Sequence, residues 1–378
     1  MILGIWNGIW EIRGYFAAII VIGLGLKYKK SKIITRLMCF YSWALIGLNT
    51  YTADFASYEE MYVCSFEPRY SGHEPAYMAL CKLCLSIGMS YRIFRMVVAA
   101  VIVFLTYKGL SYYTKRINYA LALYLIFPFV GSASGLRNSF SVAIMLVVSR
   151  YLFDKRKKAA IKYILGVLVA MSFHYSSVFY FVFLIVRHNR AKNLTLIAEV
   201  LTGIIGFLVV SGTGFMYQIV SIFTTRTKIL SWFHYSLYIS KLYYVVFILF
   251  FGLLFLLYRA KCISFHREAI GIKTEGTIKS TDISIVSKII TVSLIAFAGA
   301  ISYGVVFLRL ITTMIPIGYA VCSNVFITYA KERCDIQKEC TYFRVLIPII
   351  CFCVALFVYG YWIGGDFFGI YKNNLLFQ

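Results

Sequence analysis

Long apolar runs alternate with short polar or basic breaks along most of the chain, a pattern that predicts helices crossing a bilayer rather than amphipathic helices around a soluble core. Residues 2–26 form the first candidate span. Lys27, Lys29, Lys30, Lys32 and Arg36 follow, and residues 37–50 return. Further spans are expected at 94–110, 118–133, 194–211, 242–258, 289–307, 310–328 and 344–362. Between 135 and 177 two apolar helices flank the basic turn Lys155-Arg156-Lys157-Lys158. If that turn is cytoplasmic, as the bias of Lys and Arg toward the inner side suggests, both helices run away from it and carry Arg137 and His174 to the same outer side.

Two stretches do not fit full-length spans. Parity leaves one crossing between residues 75 and 108, so the run 76–87 is expected to be re-entrant or to lie in the outer interface. Arg92 and Arg95 would then face outward, which points either to an anionic ligand or to a shifted helix boundary. Between the basic clusters at 155–158 and 187–192 there is too little chain for two straight spans of about 20 residues each. A break at Phe173-His174-Tyr175-Ser176-Ser177 resolves this, and His174 then either lines a cavity or is a core histidine satisfied by a carbonyl.

Composition supports the membrane reading. Of 378 residues, 61% are hydrophobic and 14% charged, with a mean hydropathy of +0.79, more apolar surface than a soluble core needs. The net charge of +23 sits in short clusters between apolar runs, so it orients helices and does not mark a nucleic-acid binder. The ten cysteines lie mostly within apolar segments, and Cys81-Lys82-Leu83-Cys84 lacks a second pair at metal spacing. No cleavable leader is expected, because Glu11 and Arg13 interrupt the first apolar run. The final Leu376-Phe377-Gln378 has the form of a protease-site remnant and carries no functional reading.

Candidate chemistry gathers on the outer side. Arg137 opens a helix after the break Gly131-Ser132-Ala133-Ser134-Gly135, and a guanidinium beside a helix N-terminus attracts anions; the alternative is snorkelling to a headgroup. The loop 51–75 holds Asp54, Glu59, Glu60, Glu67 and Glu74 among Tyr51, Tyr58, Tyr62 and Tyr70, with Tyr77 just beyond, a mixture that suits sugars or an ordinary solvated loop. Glu199 within an apolar run is a functional suspect or a helix-pairing group. The loop 212–240, with Thr224-Thr225-Arg226-Thr227-Lys228 and Trp232-Phe233-His234-Tyr235, reads as an amphipathic lid suited to lie on headgroups or over a lipid-linked substrate. Arg309 lies between two apolar helices and must point into a cavity or to headgroups. The loop 259–288 reads as a plain cytoplasmic connector without a nucleotide-binding motif. No metal site and no cofactor are expected.

Asp54 to Tyr58, Glu74-Pro75-x-Tyr77, Gly135-Leu136-Arg137-Asn138, the Lys-rich turn and Phe173-His174-Tyr175-Ser176-Ser177 resemble, in order and spacing, the EpsG-type, Wzy-like bacterial polysaccharide polymerases. These motifs cover residues 50–180; elsewhere the likeness is in hydropathy and in Arg309. The chain departs from the family pattern at Asn138, where Gln is usual, and at Ser177, where Ala is usual. The resemblance implies an all-α, polytopic inner-membrane protein, one domain of roughly 11–13 transmembrane helices with short broken or re-entrant ones, similar to the GT-C class. It implies a glycosyltransferase joining undecaprenyl-diphosphate-linked oligosaccharide repeat units at the periplasmic face. The partners would be that donor and acceptor, membrane lipids and a chain-length regulator. Arg137, Arg309 and Arg226 would hold the diphosphate, with Tyr58, Tyr77, Asn138 and Arg92 completing the binding surface. The base candidates are His174, then Asp54 and Glu74. A transporter or flippase of lipid-linked sugar and an O-antigen ligase are the rival readings; internal repeats would favour the first and a large outer loop the second.

Overall fold

The computed structural model describes residues 2–50, 52, 54–187, 218, 221–222, 240–272, 280–293, 310, 312–329, 332–358, 369–372 and 374–376. Among these the chain is all-α, with one isolated antiparallel bridge, Asn49 to Asn374, fixing the C-terminal segment beside the end of the second helix. The helices are α1 (Ile2–Lys27), α2 (Lys32–Gly47), α3 (Phe55–Val63), α4 (Pro75–Ser86), α5 (Tyr91–Tyr113), α6 (Ile117–Ile126), α7 (Phe129–Ser134), α8 (Leu136–Val148) and α9 (Lys157–Phe173). A 3₁₀ segment, Tyr175–Arg187, follows, and then α10 (Ser240–Ala269), α11 (Ser280–Ser293), α12 (Ile315–Val325), α13 (Cys334–Ala355) and α14 (Gly369–Lys372).

Local chemistry sets the breaks. The hydroxyls of Ser31 and Ser90 accept from the N–H of Ile34 and Ile93 and start α2 and α5. Pro75 occupies the first turn of α4, where its missing N–H costs nothing. That helix has 12 residues, a rise of about 18 Å, too short to cross a bilayer, as parity required. Gly88, at φ +75°, reverses the chain between α4 and α5. The expected span 118–133 is instead two pieces, α6 and α7, because Pro128 cannot continue the helix.

Apolar groups face outward as well as inward. Ile93, Val97, Val101 and Phe104 form an exposed stripe on α5, Ile161, Leu165 and Leu168 one on α9, and Tyr342, Val345, Ile349 and Phe352 one on α13. Small polar groups bond across the interior: Thr114 Oγ1 donates to Asn324 Oδ1 at 2.7 Å, Asn324 Nδ2 to the Tyr113 carbonyl at 2.6 Å, and Tyr180 Oη lies 2.7 Å from Thr313 Oγ1. Among the described residues, α5 and the helix continuing from α13 to Val358 are long and apolar enough to cross a membrane by length and composition. Their exposed apolar faces are compatible with a bilayer.

The region 259–288 is not a plain connector. It is helical through Ala269 and again from Ser280, and α10 is clamped to the start of α13 by two ion pairs. Arg259 Nε and Nη2 each donate to the Glu339 carboxylate at 2.6 Å. The Arg267 guanidinium is fully buried, paired with Glu332 and donating to the carbonyls of Val325 and Ile327 at 2.6 Å each. Hydropathy alone hid this pair because its partners are far apart in sequence.

Helix α5 packs closely along α8. A Cβ placed on Gly109 would lie 2.8 Å from the Leu146 backbone carbon, so nothing larger than hydrogen fits there without moving a helix. Gly109→Ala is therefore expected to destabilise by about 1–3 kcal/mol, read as a lower melting temperature of the purified protein in detergent. Gly23→Ala, where nothing lies within 4 Å, should leave it unchanged or slightly raised.

Candidate active site

Three separated stretches meet at one end of the bundle. Arg137 lies in the first turn of α8, after Gly135 ends the preceding short helix. His174 caps the C-terminus of α9, its N–H donating to the Ala170 carbonyl at 2.9 Å. Glu74 immediately precedes Pro75 and α4. Because the basic turn joins α8 to α9 at their other ends, the hairpin itself carries Arg137 and His174 to the same end.

The Glu74 carboxylate binds both. Arg137 Nη1 donates to Oε2 at 2.5 Å, and His174 Nδ1 lies 3.2 Å from Oε1. The Tyr175 N–H donates to Oε1 at 3.4 Å, and Tyr175 Oη donates to the His73 carbonyl at 3.2 Å. The carboxylate is an acceptor only, so Nδ1 is the protonated nitrogen and Nε2 is left for other work. The Glu74 side chain is 6% exposed, whereas those of Arg137 and His174 keep 20% and 22%, so the guanidinium and the imidazole meet the surroundings before the acid does.

Packing fixes this arrangement. The rings of Phe140 and Phe173 stack at 4.2 Å and 9°, and Ser141 Oγ hydrogen-bonds Ser177 Oγ. Arg137, Phe140 and Ser141 share one face of α8, three and four residues apart, so the face that carries the guanidinium also grips the break after α9. Tyr58 and Tyr77 are buried, and their ring centroids lie 5.2 and 6.0 Å from the Arg137 guanidinium carbon. The two rings cradle a cation and do not stand open to a sugar.

Electrostatics favour an ionised acid. Glu74 lies in the turn before α4, where burial alone pushes its carboxyl up. The hydrogen bond from His174 and the charge of Arg137 outweigh burial and hold it at about 2, below the ordinary 4.5.

The remaining candidates are distributed as follows. Asn138 is buried beside Arg137. Asp54 is half-buried at the N-terminus of α3, one turn before Tyr58, and is not among the groups that contact Glu74. Arg92 is exposed at the start of α5 and does not join the cluster. Arg95, expected on the outer side, is 2% exposed; its Nε donates to the Ile46 carbonyl at 2.8 Å and its guanidinium lies 5.0 Å from the Phe55 ring. One carbonyl and one ring satisfy that cation within the bundle, partners that charge counting along the chain does not show. Glu60 and Glu67 pair with Arg69 on the surface, at 3.0 and 2.6 Å. Arg226, Glu199 and Arg309 lie outside the described residues, as does nearly all of the expected lid 212–240. Cys81 and Cys84 are buried free thiols, and the described residues hold no group of three metal-ligating side chains.

The sign of the Glu74 shift sets a pH dependence. A depressed carboxyl stabilises the fold above its unfolded value, and this contribution is lost as pH falls through 4.5 toward 2. Glu74→Gln is expected to cost roughly 2 kcal/mol at neutral pH, less than a fully buried pair because Arg137 keeps some solvent. The melting-temperature gap from wild type should be constant above about pH 6, narrow below 4.5 and close toward 2; a gap that widens on acidification contradicts the ion pair.

Neither the curated proteins nor the solved structures compared with this chain gave a match. Comparison with protein families did: residues 32–372 match the EpsG family, a span that takes in Glu74, Arg137 and His174, and the chain belongs to that family.

Proposed function

We propose that the chain is a polytopic inner-membrane glycosyltransferase that joins oligosaccharide repeat units carried on undecaprenyl diphosphate, at the periplasmic face. Membership of the EpsG family supports a membrane protein of polysaccharide synthesis. The outward apolar stripes support a bilayer setting, and the basic turn at the opposite end from Glu74 supports an outward-facing site. The observation that carries the chemistry is the buried, ionised Glu74 holding an imidazole on one side and a guanidinium on the other.

In this reading His174 Nε2 takes the proton of the acceptor hydroxyl as its oxygen attacks the anomeric carbon of the donor. The bond from that carbon to the diphosphate oxygen breaks, and the diphosphate leaves with the electron pair. Glu74 is a positioning residue rather than a base: it fixes the tautomer and stabilises the imidazolium that forms, as the acid of a Ser-His-Asp triad does. The cluster thus gains a positive charge as negative charge grows on the leaving group. Arg137, with only one of its five donors given to Glu74, contacts the diphosphate, and Arg309 and Arg226 are proposed as further anchors.

Purified protein given lipid-linked repeat units should produce a ladder of longer products without added nucleotide. His174→Ala is expected to lower turnover by about 10²–10⁴-fold while retaining lipid-linked donor. Arg137→Lys should fail to restore what Arg137→Ala loses, since an ammonium does not reproduce the guanidinium fork. Near-normal ladders from both His174→Ala and Arg137→Ala, at equal protein level, would rule out the assignment.

A further inference from the structure

A second charged cleft lies at the other end of the bundle. Helix α5 begins near the Glu74 site, where Phe94 meets Tyr77 with ring centroids 6.1 Å apart, and ends at Tyr113. Beyond that end, Thr114 Oγ1 lies 2.7 Å from Ser323 Oγ on α12. Ser323 lines a small, partly open hollow, with room inside for little more than a water molecule, together with Lys29, Tyr119, Phe326 and Arg344.

Three elements hold the cleft in shape. Asn118, fully buried, donates through Nδ2 to the carbonyls of Tyr28 and Ser31 at 2.6 and 2.9 Å, and its Oδ1 accepts from Thr35 at 2.6 Å. This pins the turn between α1 and α2 to the start of α6. Tyr119 Oη donates to the Arg344 carbonyl at 3.0 Å, which ties α6 to α13, and Lys29 Nζ sits 5.6 Å from the Tyr119 ring centroid. Lys29 and Arg344 therefore face one hollow, with Arg116 close enough to repel Lys29, and none of the lining residues is acidic. A fold that holds like charges around the mouth of a rigid hollow is complementary to an anion.

We propose that the mouth of this hollow binds a phosphate-bearing anion, held by Lys29 and Arg344 with Arg116 beside them. The chemistry is that of a phosphate mono- or diester. The flanking residues Tyr28 and Val345, 46% and 57% exposed, place apolar surface next to two of the cations, which suits a phospholipid headgroup with its chains alongside. Burial, with repulsion from Arg344 and Arg116, lowers the Lys29 ammonium to about 8, a cost that a bound anion relieves. This inference does not depend on the proposed catalysis at Glu74.

The test uses the full chain in detergent, with thermal stabilisation read against dioctanoyl phosphatidylglycerol, dioctanoyl phosphatidylcholine and inorganic phosphate. Phosphatidylglycerol should bind more tightly than phosphatidylcholine, and Lys29→Met and Arg344→Gln should each weaken it about fivefold. The unliganded variants should melt no lower than wild type, because each removes one of several repelling charges. Wild-type affinity should fall several-fold between pH 7 and 9 as Lys29 loses its proton, a readout that needs no variant. Stabilisation by inorganic phosphate equal to that by phosphatidylglycerol supports the site and assigns it to a free phosphate. Equal response to both lipids with none to phosphate, or full phosphatidylglycerol binding by both variants, overturns it.

Discussion

A carboxylate withdrawn from water must be neutralised by something, and at Glu74 that demand organises one whole end of the molecule. Its partners come from α8 and from the cap of α9, so the acid of a short helix holds shut a hairpin to which it is not connected. Every local irregularity nearby serves this closure. Pro75 fixes where α4 begins, Gly135 frees the first turn of α8, and the change to a 3₁₀ segment after His174 delivers both the imidazole and the Tyr175 N–H to one carboxylate.

The same electrostatic logic separates the two ends. At the Glu74 end an acid compensates the guanidinium, and two tyrosine rings support it from beneath. At the basic end, acids are placed where they clamp helices, as in Arg259 with Glu339 and Arg267 with Glu332, and are absent from the lining of the cleft around Lys29 and Arg344. Between the ends the interior is held by hydroxyls and amides while the outer faces are apolar. Where the surroundings are hydrocarbon, helices gain little from burying apolar faces against each other, and packing and polar contacts take over the association.

Buried carboxylate, oriented imidazole and part-exposed guanidinium form a graded series from the interior outward. Under the proposed function the acid stays withdrawn from substrate, and its influence passes through its neighbours. The proposed reaction, whose leaving group departs readily once its charge is met, would draw on such a series for charge stabilisation and a proton acceptor.

The sequence by itself determined the helical class, the shared end of Arg137 and His174, the short α4 and the break after Phe173. Those follow from run lengths, charge clusters and parity, which are one-dimensional quantities. It also supplied Glu74, but only as one of several acids in a loop, since nothing in one dimension distinguishes it from Glu60 or Glu67, which pair on the surface with Arg69. Tertiary structure decided that Glu74 is the bridging acid, that Tyr58 and Tyr77 support a cation, that Arg95 is buried against the Ile46 carbonyl, and that Arg267 finds Glu332 across the bundle. The reason is the same in each case: hydropathy records what a residue would rather avoid, whereas its role depends on which group from a distant stretch arrives to satisfy it.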